Sequence, residues 1–222
     1  MQATSQTHVL IIGAGITGLL VAQGLKQAGV SFDIFDTEDR DQWRFREWSM
    51  SIHWGLPLLN ELLPPDLAAC LIQEASVDPT IDYERRPDSG SFILDGFTGE
   101  VLKELSVPEG EANVRVSRRK LRTLCQEGLE ILWGHMLDDT VYTDGRDEVT
   151  ASFTNGKKYT GSLIVGCDGP HSRVREFLFT PDIEQSQTHA MEGITSLSAT
   201  IQYSDAGLVD QIRSVYPVWL RK

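Results

Sequence analysis

The run Gly13-Ala14-Gly15-Ile16-Thr17-Gly18 constrains this chain more than any other stretch, because it is a G-x-G-x-x-G pattern with strand and helix signals on either side. Residues 8–12 make a short run, apolar from Val9 to Ile12, as in a buried strand. Residues 16–28 read as a helix with Leu19, Leu20, Ala22 and Leu25 near one face, and Gly29 ends it. Residues 30–36, with Phe32, Ile34 and Phe35 apolar, supply a second strand and complete a β-α-β unit, the start of a parallel sheet. In that setting Gly13 permits a tight turn, Gly15 lets the backbone approach a pyrophosphate, and Gly18 lets helix and strand pack closely. The helix N-terminus adds partial positive charge. Asp36 lies 23 residues beyond Gly13 at the end of the second strand, where a carboxylate can bind ribose hydroxyls and disfavour a 2′-phosphate. The alternative is a solvated loop acid beside Glu38 and Asp39.

Charge narrows the partners. A formal net charge of −12 makes a phosphate backbone or an anionic membrane surface repel the chain as a whole, so nucleic acid is excluded as a partner. The three cysteines, Cys70, Cys125 and Cys167, are far apart and form no C-x-x-C pair; they read as reduced, partly buried thiols, with no metal site. The apolar run over residues 9–22 has no preceding positive charge and is broken by glycines, so it is neither a signal peptide nor a membrane segment. A cytoplasmic location follows as the expectation.

Further along, residues 57–73 read as helical with a break at Pro64-Pro65, and Asp66 as the cap of a second short helix. Residues 91–94 and 101–107 flank Asp95-Gly96 and Thr98-Gly99 as a hairpin that interrupts the α/β pattern. Residues 117–128 return to helix with Ser117 as cap, and residues 129–133 to strand. Residues 149–153 and 158–162 face each other across Asn155-Gly156, and the apolar strand of residues 163–166 runs into Cys167-Asp168-Gly169.

The two nucleotide signals fit FAD and NAD equally, and the stretch Gly166-Cys167-Asp168-Gly169-Pro170-His171-Ser172-Arg173-Val174-Arg175 separates them. It resembles the D-G motif of the aromatic-hydroxylase, or group A, FAD-dependent monooxygenases, commonly G-A-D-G-x-x-S-x-V-R, with Cys167 in place of alanine. The resemblance implies that Asp168 and the adjoining Gly169 serve the flavin ribitol, and it links the motif to NAD(P)H as transient reductant. The reading without it is a helix cap by Asp168 or Ser172. Residues 116–122 resemble that family's R-x-x-L helix start, which puts the FAD-reaching arginine at Arg118, with Arg119 as the alternative. Residues 46–54 stand where the family has an arginine and a glycine-rich turn near the flavin; Arg46 and Ser49 are carried over, although Ser49 and Met50 replace the small glycines. His53-Trp54 before Pro57 resembles the fungal members.

The expected architecture is therefore α/β: a Rossmann-like FAD-binding fold with a parallel sheet, interleaved with part of an antiparallel-sheet substrate domain. Residues 1–75 and 113–180 form the FAD-binding domain in this expectation, and residues 76–112 and 185–222 the partial substrate domain. The later G-D motif of the family is absent, so the sequence reads as a C-terminally shortened member, with a dimer or a missing C-terminal portion left open. The implied activity is FAD- and NAD(P)H-dependent hydroxylation or epoxidation of a small organic molecule in secondary metabolism, with no side chain named as catalytic. Two rivals stand beside it: a flavin-fold binding or accessory protein without redox activity, and an NAD-dependent dehydrogenase.

Overall fold

The computed structural model describes residues 7–39, 48–77, 79, 91–105, 114–143, 145, 147–180, 189, 192–193 and 203–215. Their contacts group into two compact units, one of residues 1–46, 62–64 and 125–196, the other of residues 47–61, 65–124 and 197–222.

The first unit opens with β1 (His8–Ile12), α1 (Ile16–Gln27) and β2 (Ser31–Phe35), as the sequence leads one to expect. The mixed α/β class also holds, with one four-stranded sheet carrying parallel pairs and separate antiparallel sheets. In the four-stranded sheet β1 lies between β2 and β11 (Leu163–Gly166), and β7 (Ile131–Leu132) follows β2 at the edge. A strand flanked on both sides and covered on both faces reads as an unbroken apolar run. Val9, Leu10, Ile11 and Ile12 are accordingly all buried.

A second, antiparallel sheet of β8 (Leu137–Thr143), β9 (Glu148–Phe153) and β10 (Lys158–Gly161) packs its apolar side on this frame. Leu10, Ile12 and Phe35 from the parallel sheet form one core with Leu137, Ala151 and Phe153. The Phe35 and Phe153 rings lie 4.6 Å apart between centroids, and Tyr159 meets Phe35 edge-on at 4.7 Å. At the start of β1, the Ser162 N–H donates to the His8 carbonyl at 2.7 Å, which ties β10 to the strand beside it.

The observed inner face of α1 differs from the expected one at Leu20, Gln23 and Leu25. Gly18, Leu19, Ala22 and Gln23 are the buried residues, and Leu20 and Leu25 are only partly covered. Gln23 occupies the inner face because its amide nitrogen reaches the carbonyls of Cys125 at 2.8 Å and Glu127 at 3.0 Å, which offsets the burial of a polar group.

The second unit holds β3 (Ser49–Ile52), paired antiparallel with β6 (Val114–Ser117), and the hairpin of β4 (Ser91–Leu94) and β5 (Val101–Leu105). Residues 106 and 107, expected in the second hairpin strand, lie outside the described residues. The helices α2 (Leu56–Leu62) and α3 (Pro65–Ala75) are separated at the two prolines as expected. Asp66 is not the cap: Pro65 already takes the first helical position, where a missing N–H costs nothing, and Asp66 sits inside the first turn. Ser117 does cap α4 (Arg118–Cys125), its hydroxyl accepting the Lys120 N–H at 3.2 Å. The helices α5 (Arg173–Phe179) and α6 (Ala206–Val215) complete the described elements.

All three cysteines are free, but Cys70 is exposed, which corrects the expectation of three partly buried thiols. Burial pushes the Cys125 thiol from 9.0 to about 12. An unfolded chain would ionise that thiol near 9.0 while the folded chain keeps its proton, so the folded state binds more protons in between. Stability carried by Cys125 is therefore full below pH 9 and lost as pH rises towards 12. Thermal melting followed across that range is expected to fall for the wild type and to fall less for Cys125→Ala; parallel curves would place the alkaline loss elsewhere. A thiol reagent is expected to modify Cys70 promptly in the native protein and Cys125 only after unfolding.

Candidate functional site

The turn between β1 and α1 and the turn after β11 meet at the carboxyl ends of two neighbouring parallel strands, the edge of such sheets that binds ligands. Their backbones are in direct contact. The Cys167 N–H donates to the Ile12 carbonyl at 2.7 Å, and the Gly13 N–H to the Phe35 carbonyl at 2.8 Å. Gly13 has φ +105°, and a Cβ built on it would lie 2.4 Å from the Cys167 carbonyl oxygen. At Gly18 a Cβ would lie 1.9 Å from the Gly13 carbonyl oxygen and 3.2 Å from the Cys167 Cβ.

Gly15 behaves differently. Its φ of −71° and ψ of 178° suit any residue, and a Cβ there would have nothing within 4 Å. Among the described residues nothing gives this position a reason to be glycine. It stands at the N-cap of α1, where among the described residues no side-chain cap is made, so a ligand that comes against the backbone there accounts for both facts. The residues present thus fit a dinucleotide pyrophosphate.

Asp36 closes the same corner. It is 9% exposed, one carboxylate oxygen accepts the Ala14 N–H at 2.8 Å, and the other accepts the Glu38 N–H at 2.9 Å. The carboxylate is therefore held against the glycine turn, which a solvated loop acid would not be. Asp36→Ala is expected to weaken a bound adenine dinucleotide by about 1 to 3 kcal/mol, the order of lost charge-assisted hydrogen bonds. Titration of the apoprotein with FAD checks this, and an unchanged dissociation constant would move ribose recognition to another group.

Asp168 organises its own turn. One carboxylate oxygen accepts the Ser172 hydroxyl at 2.5 Å, and the other accepts the N–H groups of Arg173 at 2.7 Å and Val174 at 3.3 Å. Ser172 in turn caps α5, accepting the Arg175 N–H at 3.0 Å. The helix-cap alternative for this segment is thus present, and any contact with a flavin would be an additional duty of Asp168. Gly169 has open space where a Cβ would stand. Burial, and then the Asp168 charge, push the Cys167 thiol up, which keeps it protonated and a poor nucleophile.

The six residues Gly13, Gly15, Gly18, Asp36, Asp168 and Gly169 share the first unit, while Ser49 and Arg118 belong to the second. Ser49 is in β3, where its hydroxyl accepts from the Arg115 guanidinium at 2.7 and 2.9 Å. Arg118 opens α4 with its N–H donated to the Trp48 carbonyl at 2.8 Å and its side chain exposed. Arg46 lies outside the described residues. Sequence reasoning missed His135, whose backbone N–H donates to the Asp36 carbonyl at 2.8 Å. The signal available was Trp133-Gly134-His135, a glycine and a histidine just past a strand that pairs with β2.

The family model described as an NAD(P)-binding Rossmann-like domain matches residues 11–41. The FAD-dependent monooxygenase phnB of Penicillium herquei is 40% identical over 213 residues, 96% of this chain and 50% of the relative. The FAD-dependent monooxygenase cctM of Talaromyces islandicus is 35% identical over 217 residues, 96% of this chain and 51% of the relative. The chain thus spans about half the length of the curated relatives it matches. Among solved structures, Klebsiella pneumoniae HpxO complexed with FAD and uric acid shares the fold with a TM-score of 0.60 at 22% identity, over 79% of this chain and 42% of that one.

Proposed function

From the premise that this chain is a homologue of fungal FAD-dependent monooxygenases, matched along 96% of its length, we infer that it binds FAD and serves oxygen transfer to a small organic molecule of secondary metabolism. The observation that carries this reading is the open backbone at Gly15, a cradle that the fold does not need and a pyrophosphate would fill. The α1 N-terminus and the Gly13-to-Gly18 turn hold the pyrophosphate, and Asp36 holds the adenosine ribose. Asp168 and Gly169 border the ribitol, and Arg46, Ser49 and Arg118 serve the flavin end. Bound FAD, reduced by NAD(P)H, supplies the chemistry by which one atom of O2 enters the substrate and the other leaves as water. The chain's part is binding and orientation, so no side-chain nucleophile is required.

In this reading cofactor binding falls to residues 1–75 and 113–180 and substrate to residues 76–112 and 185–222. That division by role is drawn differently from the compact units, which group β3, α2, α3 and most of α4 with the second. No helix among the described residues is long and apolar enough to cross a membrane. The cytoplasm, whose reducing conditions suit three free thiols, is the compartment this reading assigns.

The test is direct. The purified chain, incubated with FAD and passed through a desalting column, is expected to retain flavin absorbance, and NAD(P)H is expected to bleach it in the absence of oxygen. No retained flavin overturns the reading. Retained flavin that NAD(P)H never reduces supports a binding role without redox activity instead.

A further inference from the structure

Among the buried titratable side chains, His135 has no part in the reading above. It is 4% exposed and sits among Phe35, Phe153 and Tyr159, with ring centroids 5.6, 5.1 and 5.7 Å away. Phe35 is the residue immediately before Asp36. The His135 Nδ1 lies 2.7 Å from the Trp133 carbonyl oxygen, which can only accept, so Nδ1 carries the proton. Nε2 is then the acceptor in the neutral ring, 3.4 Å from the Tyr159 hydroxyl.

The bond from Nδ1 to Trp133 closes a tight turn over residues 133–135, and two N–H groups of that turn, together with the Leu132 carbonyl before it, hold the chain around Asp36. The Asp36 N–H donates to the Leu132 carbonyl at 3.1 Å, the His135 N–H to the Asp36 carbonyl at 2.8 Å, and the Gly134 N–H to the Glu38 carbonyl at 3.0 Å. The turn is itself anchored to the β9–β10 connection, where the Asn155 side-chain amide donates to the Gly134 carbonyl at 3.1 Å and the Thr154 N–H to the Met136 carbonyl at 3.0 Å. β7 has only two residues, so the sheet holds Asp36 only by its N–H, on the Leu132 carbonyl, and the turn of residues 133–135 takes the carbonyls of Asp36 and Glu38.

We propose that His135 is a positioning residue for the adenosine end of the site: by locking the turn of residues 133–135 it fixes the main chain of Asp36 and Glu38, and so the place where a ribose diol is read. The proposal rests on the dinucleotide reading of the site and deepens it. Asp36 supplies the contact, and His135 supplies the angle at which the carboxylate meets the ligand. Removing the Nδ1 donor while keeping a flat ring in the aromatic box separates this role from simple packing.

Binding of ADP, which carries adenosine and pyrophosphate without a flavin, is measured calorimetrically for the full chain and for two variants, with thermal melting alongside. His135→Phe keeps the ring and is expected to melt near the wild type but bind ADP about tenfold more weakly, the effect of one lost orienting hydrogen bond. It is also expected to narrow the preference for ADP over adenosine 2′,5′-bisphosphate, which a packing role would not alter. His135→Asn keeps a donor at the Nδ1 position without the ring and is expected to restore most ADP affinity despite a lower melting temperature. If His135→Phe does not fold, His135→Asn decides alone: near-wild-type ADP affinity supports the proposal, and lost affinity or lost fold makes His135 a packing residue and overturns it. His135→Phe binding ADP within about twofold of wild type also overturns it. A wild-type chain that binds neither ADP nor FAD overturns the flavoprotein reading itself, an outcome distinct from a wild type that binds both with an indifferent His135→Phe.

Discussion

Gly18→Ala is expected to cost the first unit about 3 kcal/mol or more and to lower its melting temperature by about 10 °C, if it folds at all. The added methyl would have to stand 1.9 Å from the Gly13 carbonyl oxygen, and that atom is backbone that cannot swing aside. The Gly13 backbone is fixed in turn, by its N–H bond to Phe35 on one side and by packing on Cys167 and Asp168 on the other. One methyl at Gly18 therefore pushes on α1, β1 and the turn after β11 together. Gly13→Ala should act in the same direction, with left-handed backbone strain added at φ +105°. Circular dichroism melting of the two variants checks this; transitions that coincide with the wild type would mean that the two turns are not packed on one another as described.

Gly15→Val should produce the opposite pair of results, an unchanged melting temperature and FAD affinity reduced about a hundredfold or more, the equivalent of two lost hydrogen bonds to a charged group. The backbone at Gly15 is extended and the space above it is empty, so valine fits the fold without strain. The same space is the path by which a pyrophosphate would reach the α1 N-terminus, and two methyl groups there hold it off. Retention of wild-type flavin by a folded Gly15→Val protein would show that the phosphate lies elsewhere. Three glycines in one motif are thus separable by experiment: Gly13 and Gly18 are packed into the fold, and Gly15 is the one proposed to serve the ligand.

Much of the first unit was legible in the sequence because its signals are local. A continuous apolar run, a glycine turn and a second apolar run lie within residues 8–36, and a β-α-β unit needs nothing from the rest of the chain to be recognised. The hairpin across Asn155-Gly156 was legible for the same reason. β8 was not, since Leu137 is its one buried residue and no alternation shows. It exists because its backbone pairs with β9, with an irregularity between Leu137 and Asp139 that shifts the register. β3 was missed on similar grounds: none of its residues is buried, and its partner β6 lies some 60 residues away in the chain, so only pairing makes it a strand.

For the site, the residue types and their order were determined by the sequence itself: the glycine pattern, an acid closing the second strand, and a D-G pair after a third parallel strand. A short apolar strand delivers whatever follows it to the carboxyl edge of the sheet, so position along the chain translates directly into position at that edge. What each residue does there was decided only by the tertiary structure. Asp36 turned out to be held by the Ala14 N–H on one side and to meet the His135 N–H on the other, partners that become neighbours only when strands far apart in the chain are brought side by side, whereas Asp168 is occupied with the start of α5 by residues close to it in the chain. Hydrogen bonds and steric contacts act over a few ångströms, so a duty that depends on a non-local partner leaves no mark in the sequence around the residue that performs it.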